Sequence, residues 1–152
     1  MSNEAIQGLH LFRTKARCIN CHNGPLFSDG DFHNIGLTYY QRPFEDLGRY
    51  NITKKPADVG RFRTPSLREV MLTRPWMHNG LFDDMEGIIN MYNAGGAKAR
   101  PKGEQVNDPL YPKLDPLLKP LHLTPQERES VVAFLQTLTT NSYRVERPVM
   151  PK

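Results

Sequence analysis

The sequence predicts an all-α domain in which a few helices are joined by long loops rich in proline and glycine. Three observations lead there. Stretches with helical apolar spacing stand near both ends of the chain. Proline supplies 13 of 152 residues, well above the usual share of about 5%. The apolar fraction is 38%, enough for one lean core and short of two.

The elements follow in order. Residues 4–16 place Ile6, Leu9 and Phe12 near helical spacing, with Leu11 on a neighbouring flank. Gly8 and Phe12 stand four apart on one face, where a glycine lets another helix come close. From Asn23 to Gly60 the chain is rich in Gly, Pro, Asp and Asn and reads as loop. Thr64 as N-cap and Pro65 at the first helical position predict a short helix over 64–72. A second, over 83–93, starts at an acidic cap and ends before Gly95 and Gly96. Residues 97–123 hold five prolines and read as irregular, with a turn at Asp115-Pro116. Thr124-Pro125-Gln126-Glu127 then opens the clearest helix, with an N-cap, a first-turn proline and a capping-box glutamate. Val131, Phe134, Leu135 and Leu138 follow on one face, flanked by Val132. The domain is expected over 1–138, with 139–152 as a tail.

Charge and hydropathy exclude two classes. The formal net charge is +4, too mild and too scattered for a nucleic-acid partner. No stretch approaches the roughly 18 apolar residues of a membrane span.

Both cysteines lie in Cys18-Ile19-Asn20-Cys21-His22. A thioredoxin-like redox pair would need a preceding strand, and the sequence before Cys18 reads as helix. A structural zinc wants four ligands, and no second C-x-x-C exists. His22 directly after Cys21 selects a third reading, one covalent c-type haem. Two thiols must reach the two vinyl groups of one porphyrin edge, and the next residue must offer iron an imidazole. His22 is then the proximal ligand, since neutral imidazole is a good donor. Such attachment implies export to the periplasm or a similar compartment, although Met1 to Arg17 holds no signal-peptide pattern. A helix at each end, a haem motif after the first and Pro-rich loops between make a class I cytochrome c-like arrangement. Its terminal helices are expected to cross, Gly8 and Phe12 against Phe134 and Leu138.

Further motifs run through most of the chain. They include Phe27-Ser28-Asp29-x-x-Phe32-His33-Asn34-x-Gly36, Asp46-x-Gly48-Arg49 and Asp58-x-Gly60-x-Phe62-Arg63-Thr64-Pro65-Ser66-Leu67-Arg68. Pro75-Trp76-Met77-His78-Asn79-Gly80 and Tyr92-Asn93-x-Gly95-Gly96 follow. In this order, with Gly8-x-x-x-Phe12, the haem pentapeptide and the closing helix, the chain resembles the C-terminal haem domain of the bacterial di-haem cytochrome c peroxidase and MauG superfamily. Trp76 and Asn79 stand where the family usually has Tyr and Asp. The larger departure is a single haem motif where family enzymes carry two.

The resemblance implies a sixth iron ligand from the short helix after the His-Asn-Gly motif. The matching position is Tyr92, fourteen residues beyond His78, with Met91 as the alternative; helical neighbours point about 100° apart, so one of the two can face iron. Met77, His78 and His33 are further candidates of lower rank. His78 suits a haem propionate or a backbone carbonyl, and Arg63 and Arg68 suit bidentate pairing with propionates. His10 and His122 read as surface or packing residues. The resemblance also implies calcium between two haem domains, to which this chain would offer the backbone carbonyls of Thr73 and Pro75. The expected function is electron relay from a small redox donor protein to a second haem, on an N-terminal haem domain or another haem protein, that reduces hydrogen peroxide. A stand-alone mono-haem electron carrier is the alternative.

Overall fold

The computed structural model describes residues 1–140. Helix α1 (Asn3–Arg13) starts at Ser2, whose hydroxyl accepts the Ala5 N–H at 3.2 Å. Its buried face is Ala5, Gly8, Leu11 and Phe12, rotated from the Ile6, Leu9 and Phe12 stripe that spacing suggested. Ile6 is 54% exposed. The face is centred on Gly8 because that is where α4 (Pro125–Gln136) crosses. A Cβ on Gly8 would lie 1.8 Å from the Ser130 carbonyl oxygen and 2.9 Å from Phe134 Cβ. The crossing is nearly backbone to backbone. Gly8→Ala is therefore expected to destabilise by roughly 3 kcal/mol, since overpacking against rigid backbone outweighs the gain in helix propensity. A denaturation midpoint unchanged in the variant would contradict this.

Helix α4 carries the capping box read from its sequence. Glu127 N–H donates to Thr124 Oγ1 at 3.2 Å, and Thr124 N–H donates to Glu127 Oε2 at 2.7 Å. Lys15 adds an ion pair to the same carboxylate at 2.6 Å, tying the segment after α1 to the start of α4. Val131, Phe134 and Leu135 are buried, and Phe134 packs edge-on against Phe12 with ring centroids 5.1 Å apart. Helix α3 (Met85–Asn93) is capped by Asp84, whose carboxylate accepts from the N–H groups of Glu86 and Gly87. It buries Met85, Ile88 and Ile89 and packs against α4. Asn93 exchanges two hydrogen bonds with the Leu123 backbone, which fixes the end of α3 beside the entry to α4.

The all-α expectation is corrected. Strand β1 (Phe32–His33) pairs antiparallel with β2 (Phe62–Arg63), Phe32 opposite Arg63 and His33 opposite Phe62. Helices, including short 3-10 turns, hold only 36% of the described residues. Strands of two residues show no alternation for a sequence to reveal. Helix α2 (Tyr50–Thr53) and a 3-10 turn at Pro56–Asp58 lie in the segment read as loop.

The helix expected over 64–72 does not form either; only Val70–Leu72 turns, as 3-10. Side-chain bonds tie the preceding segment to the 25–28 loop instead. Ser28 Oγ donates to Thr64 O at 2.8 Å, Ser66 Oγ to Leu26 O at 2.7 Å, and Arg68 Nε to Pro25 O at 2.6 Å. Glu69 then sits at φ 58, where a right-handed helix cannot continue. The 97–123 segment is irregular apart from a 3-10 turn at Gly103–Asn107. Its Asp115 turn is present, with Leu117 N–H donating to Asp115 Oδ1 at 3.0 Å. The expected tail lies outside the described residues beyond Thr140. No helix among the described residues is long and apolar enough to cross a membrane.

Candidate haem site

Helices α3 and α4, the segment after α1 and the loops around β2 and Trp76 enclose a cavity of about 440 Å³. Val70, Met85, Ile88, Ile89, Val131 and Leu135 make much of its apolar wall. The Cys18–Asn20 turn follows Arg17, which is left-handed at φ 54 and anchored by its guanidinium to the carbonyls of Lys119 and Pro120. His22 N–H donates to Cys18 O at 2.8 Å, closing the pentapeptide on itself. Cys18, Cys21 and His22 thereby all line the cavity.

The chemistry of these groups argues against a redox or thiolate site. Burial pushes the Cys18 thiol up to about 12. Burial, with the carboxylates of Asp29, Asp115 and Asp31, pushes Cys21 up to about 11. Reactive cysteines need the opposite environment. His22 is held neutral, because burial lowers its pKa more than its hydrogen bond to the Phe27 carbonyl raises it. That bond is 3.0 Å from Nδ1. A carbonyl only accepts, so Nδ1 carries the proton and Nε2 keeps its lone pair. This is how an iron-ligating histidine is oriented. The carbonyl of Phe27 has no sequence signature, and only the structure reveals its role.

Met85, Ile88, Ile89 and Tyr92 fall on one face of α3, and all four line the cavity. Met91, one residue away, is not among the lining residues. Burial raises the Tyr92 phenol above its ordinary pKa, so its proton stays on unless a cation takes its place. The half-buried Met77 and the exposed His78 also line the cavity. The His78 ring stacks on Phe62 at 3.5 Å with 9° between planes, and burial lowers its pKa. Arg63 is exposed on the rim. Arg68 is not part of the lining; besides its bond to Pro25 O, its guanidinium lies 6.0 Å over the Phe27 ring. It braces the loop whose carbonyl orients His22. Thr73 and Pro75 also lie at the mouth, and two carbonyls are less than half the 6–8 oxygens calcium takes. His10 and His122 are exposed and take no part.

The cavity holds one arrangement that the sequence did not disclose. His33 is clamped between Asp115, at 2.8 Å from Nδ1, and Asp29, at 2.9 Å from Nε2. Cys21, Asp29 and His33 bring ligand atoms within 4.8 Å of one another, but both imidazole nitrogens are already committed to carboxylates. Burial alone would lower the imidazole; the bonds to Asp115 and Asp29 and their charge outweigh it and raise its pKa. Asp29 is lowered despite burial, by the N–H of Asp31 and by His33. The raised histidine contributes stability in full below its unfolded pKa of 6.5 and loses it as pH rises through the higher folded value. The lowered aspartate contributes above 3.8 and loses that as pH falls. Wild type and His33→Gln should therefore differ most in denaturation midpoint between about pH 5 and 6.5 and converge at alkaline pH. A difference that grows above pH 8 would contradict the clamp.

A neutral imidazole with one nitrogen free, two protonated thiols on the same wall, an apolar interior and a polar mouth fit a flat macrocycle with a central metal and polar arms. Comparisons with known proteins point the same way, although no family model matches the chain. Over 166 residues it is 40% identical to cytochrome-c peroxidase IdrP1 of Denitromonas iodatirespirans, an alignment covering 91% of this chain and 41% of that protein. It is 33% identical to the methylamine utilization protein MauG of Methylorubrum extorquens, across 97% of this chain and 38% of that one. The crystal structure of a MauG-like protein associated with microbial copper homeostasis matches with a TM-score of 0.77 at 32% identity, covering 93% of this chain and 48% of that one. The chain spans about two-fifths of the length of these curated relatives. Shared sequence and shared fold thus converge, and the chain belongs to the superfamily of di-haem cytochrome c peroxidases and MauG.

Proposed function

We propose that this chain is the C-terminal, electron-relay haem domain of a di-haem cytochrome c peroxidase or MauG-like oxidoreductase working in the periplasm. One haem c is held through thioethers at Cys18 and Cys21, with His22 as proximal and Tyr92 as distal iron ligand. When bound, it supplies one-electron chemistry between a small redox donor protein and a second haem on a partner domain, where hydrogen peroxide is reduced. The chain's own residues set the conditions for that. Phe27 O orients His22, the α3 and α4 side chains exclude water, and Arg63 and His78, exposed side chains that also line the cavity, would pair with propionates. The observation that carries the reading is the cavity itself: His22 and Tyr92 both line it, and Met91 does not.

The test is the purified, haem-loaded chain. It is expected to exchange electrons with a small donor while turning over peroxide far below the roughly 10 per second typical of enzymes. Peroxide reduction near that rate by the single-haem chain would overturn the assignment. The single pentapeptide also supports a mono-haem carrier. A second C-x-x-C-H about one domain, roughly 150 residues, upstream in the coding sequence decides between the two.

A further inference from the structure

Just after β1 in the chain, the 34–42 loop joins the 97–114 loop around a second cleft of about 600 Å³. Small-molecule sites run from about 300 to 1,000 Å³. The two spaces share no lining residue, yet they lie back to back. Asn34, Gly36 and Leu114 face the cleft, whereas Ile35 and Asp115 face the other cavity. The loops meet tightly at its floor: Ala97 N–H donates to Ile35 O at 3.0 Å, and a Cβ on Gly36, at φ +90, would lie 1.8 Å from Ala97 O. Gln105 Nε2 donates to Gln41 Oε1 at 2.9 Å and joins the two lips.

The walls are aromatic and cationic. Tyr40 and Tyr111 pack edge to face at 5.7 Å, and Tyr40 donates its hydroxyl proton to Asp108 at 2.6 Å, which fixes its ring. The Arg42 guanidinium lies 5.1 Å over the Tyr39 ring. Arg42, Lys98, Arg100 and Lys102 line the cleft against one carboxylate, Glu104. The carboxylates of Asp108 and Glu45, outside the lining, accept hydrogen bonds from Tyr40 and Gln41, so it is the lining itself that is more cationic than the chain's 20 basic to 16 acidic residues. Among the described residues none of the four cations is in an ion pair. Like charges around a concave wall repel one another and focus their field into it, so an anion bound there relieves the repulsion.

We infer that this cleft binds a small polyanion built on a flat ring, with two or more carboxylate or phosphate groups. Arg42 and Arg100 pair with the anionic groups in the bidentate geometry a guanidinium allows, and the tyrosines take the ring. Nothing in this depends on the haem assignment, because no cleft residue belongs to that cavity. The test is calorimetric titration of the haem-loaded chain with benzene-1,3,5-tricarboxylate at low ionic strength. One saturable site is expected, weakened roughly tenfold or more in Arg42→Ala/Arg100→Ala. Arg13→Ala, which removes an exposed cation on α1, should bind as wild type does, and far-ultraviolet circular dichroism reports that each variant is folded. Citrate, equally charged and without a ring, should bind several-fold more weakly. Absence of saturable binding, or equal affinity in the double variant, overturns the site; equal affinity for citrate overturns the ring.

Discussion

Replacing both Cys18 and Cys21 with alanine is expected to abolish covalent haem and, with it, most of the domain's stability. The thioethers are the proposed anchor, so haem in the double variant should extract into acidified acetone while haem in the wild-type chain stays with the protein. The stability loss follows from the size of the space left behind. At about 24 cal/mol per Å³ of unfilled cavity, the 440 Å³ pocket corresponds to roughly 10 kcal/mol. That is comparable with the whole folding free energy of a typical domain, about 5–15 kcal/mol. Once its non-covalent haem has been removed, the double variant should therefore lose its cooperative thermal transition, because α3, α4 and the pentapeptide segment would face one another across an unfilled pocket. Haem leaving the wild-type chain on extraction would sink the covalent assignment. A sharp unfolding transition in the double variant would show that the helices close the space by themselves.

Substitution at Tyr92 should have the next largest effect, and its contrast with Met91 is the informative part. Tyr92→Phe keeps the ring on the cavity wall and removes only the oxygen. With Tyr92 as distal ligand, the variant opens the sixth position to water or added ligands, and the visible spectrum changes accordingly. Its reduction potential should rise, since an anionic phenolate favours ferric over ferrous iron. Met91→Leu should leave both nearly unchanged, because position 91 points about 100° away from position 92 around the helix. The wild-type ferric spectrum should also lack the long-wavelength sulfur-to-iron band of a methionine ligand. A spectrum that responds to Met91→Leu and ignores Tyr92→Phe would transfer the ligand to Met91. Indifference to both would turn attention to His78 or His33.

Sequence patterning alone was most reliable where the determining atoms lie within a turn or two of one another. The Thr124 and Glu127 capping box needs four residues, and the structure contains it. Asp84 caps α3, and the helix ends before Gly95 and Gly96 as their positions suggest. The Gly8 crossing was also legible, because a glycine inside a helix costs propensity and is retained where another backbone comes close. Patterning was misleading where a local preference competed with distant partners. Thr64 and Pro65 are good helix openers, yet Ser28, Leu26 and Pro25 bind the 64–68 segment and keep it out of a helix. The stripe on α1 was read one position away from its true centre, because Ile6 counted as apolar and Ala5 and Gly8 scarcely counted. The helix that actually packs there needs small residues.

What the sequence by itself determined is the set of reactive parts and their local order: two cysteines and a histidine in one loop, a tyrosine and a methionine side by side on a short helix, and a capped helix at the end. Covalent spacing and helical pitch settle those relations within a few residues. Tertiary structure alone decided which parts meet. It put Tyr92 on the cavity wall and left Met91 off it, sent Arg68 to Pro25 and the Phe27 ring, and assigned the Phe27 carbonyl to His22. It also closed Asp115 onto His33 across 82 residues. The physical reason is common to all of these. A hydrogen bond between distant residues is chosen by which loops pack together, and that choice belongs to the whole chain's burial of apolar surface and satisfaction of polar groups, of which no short window of sequence holds more than a fraction.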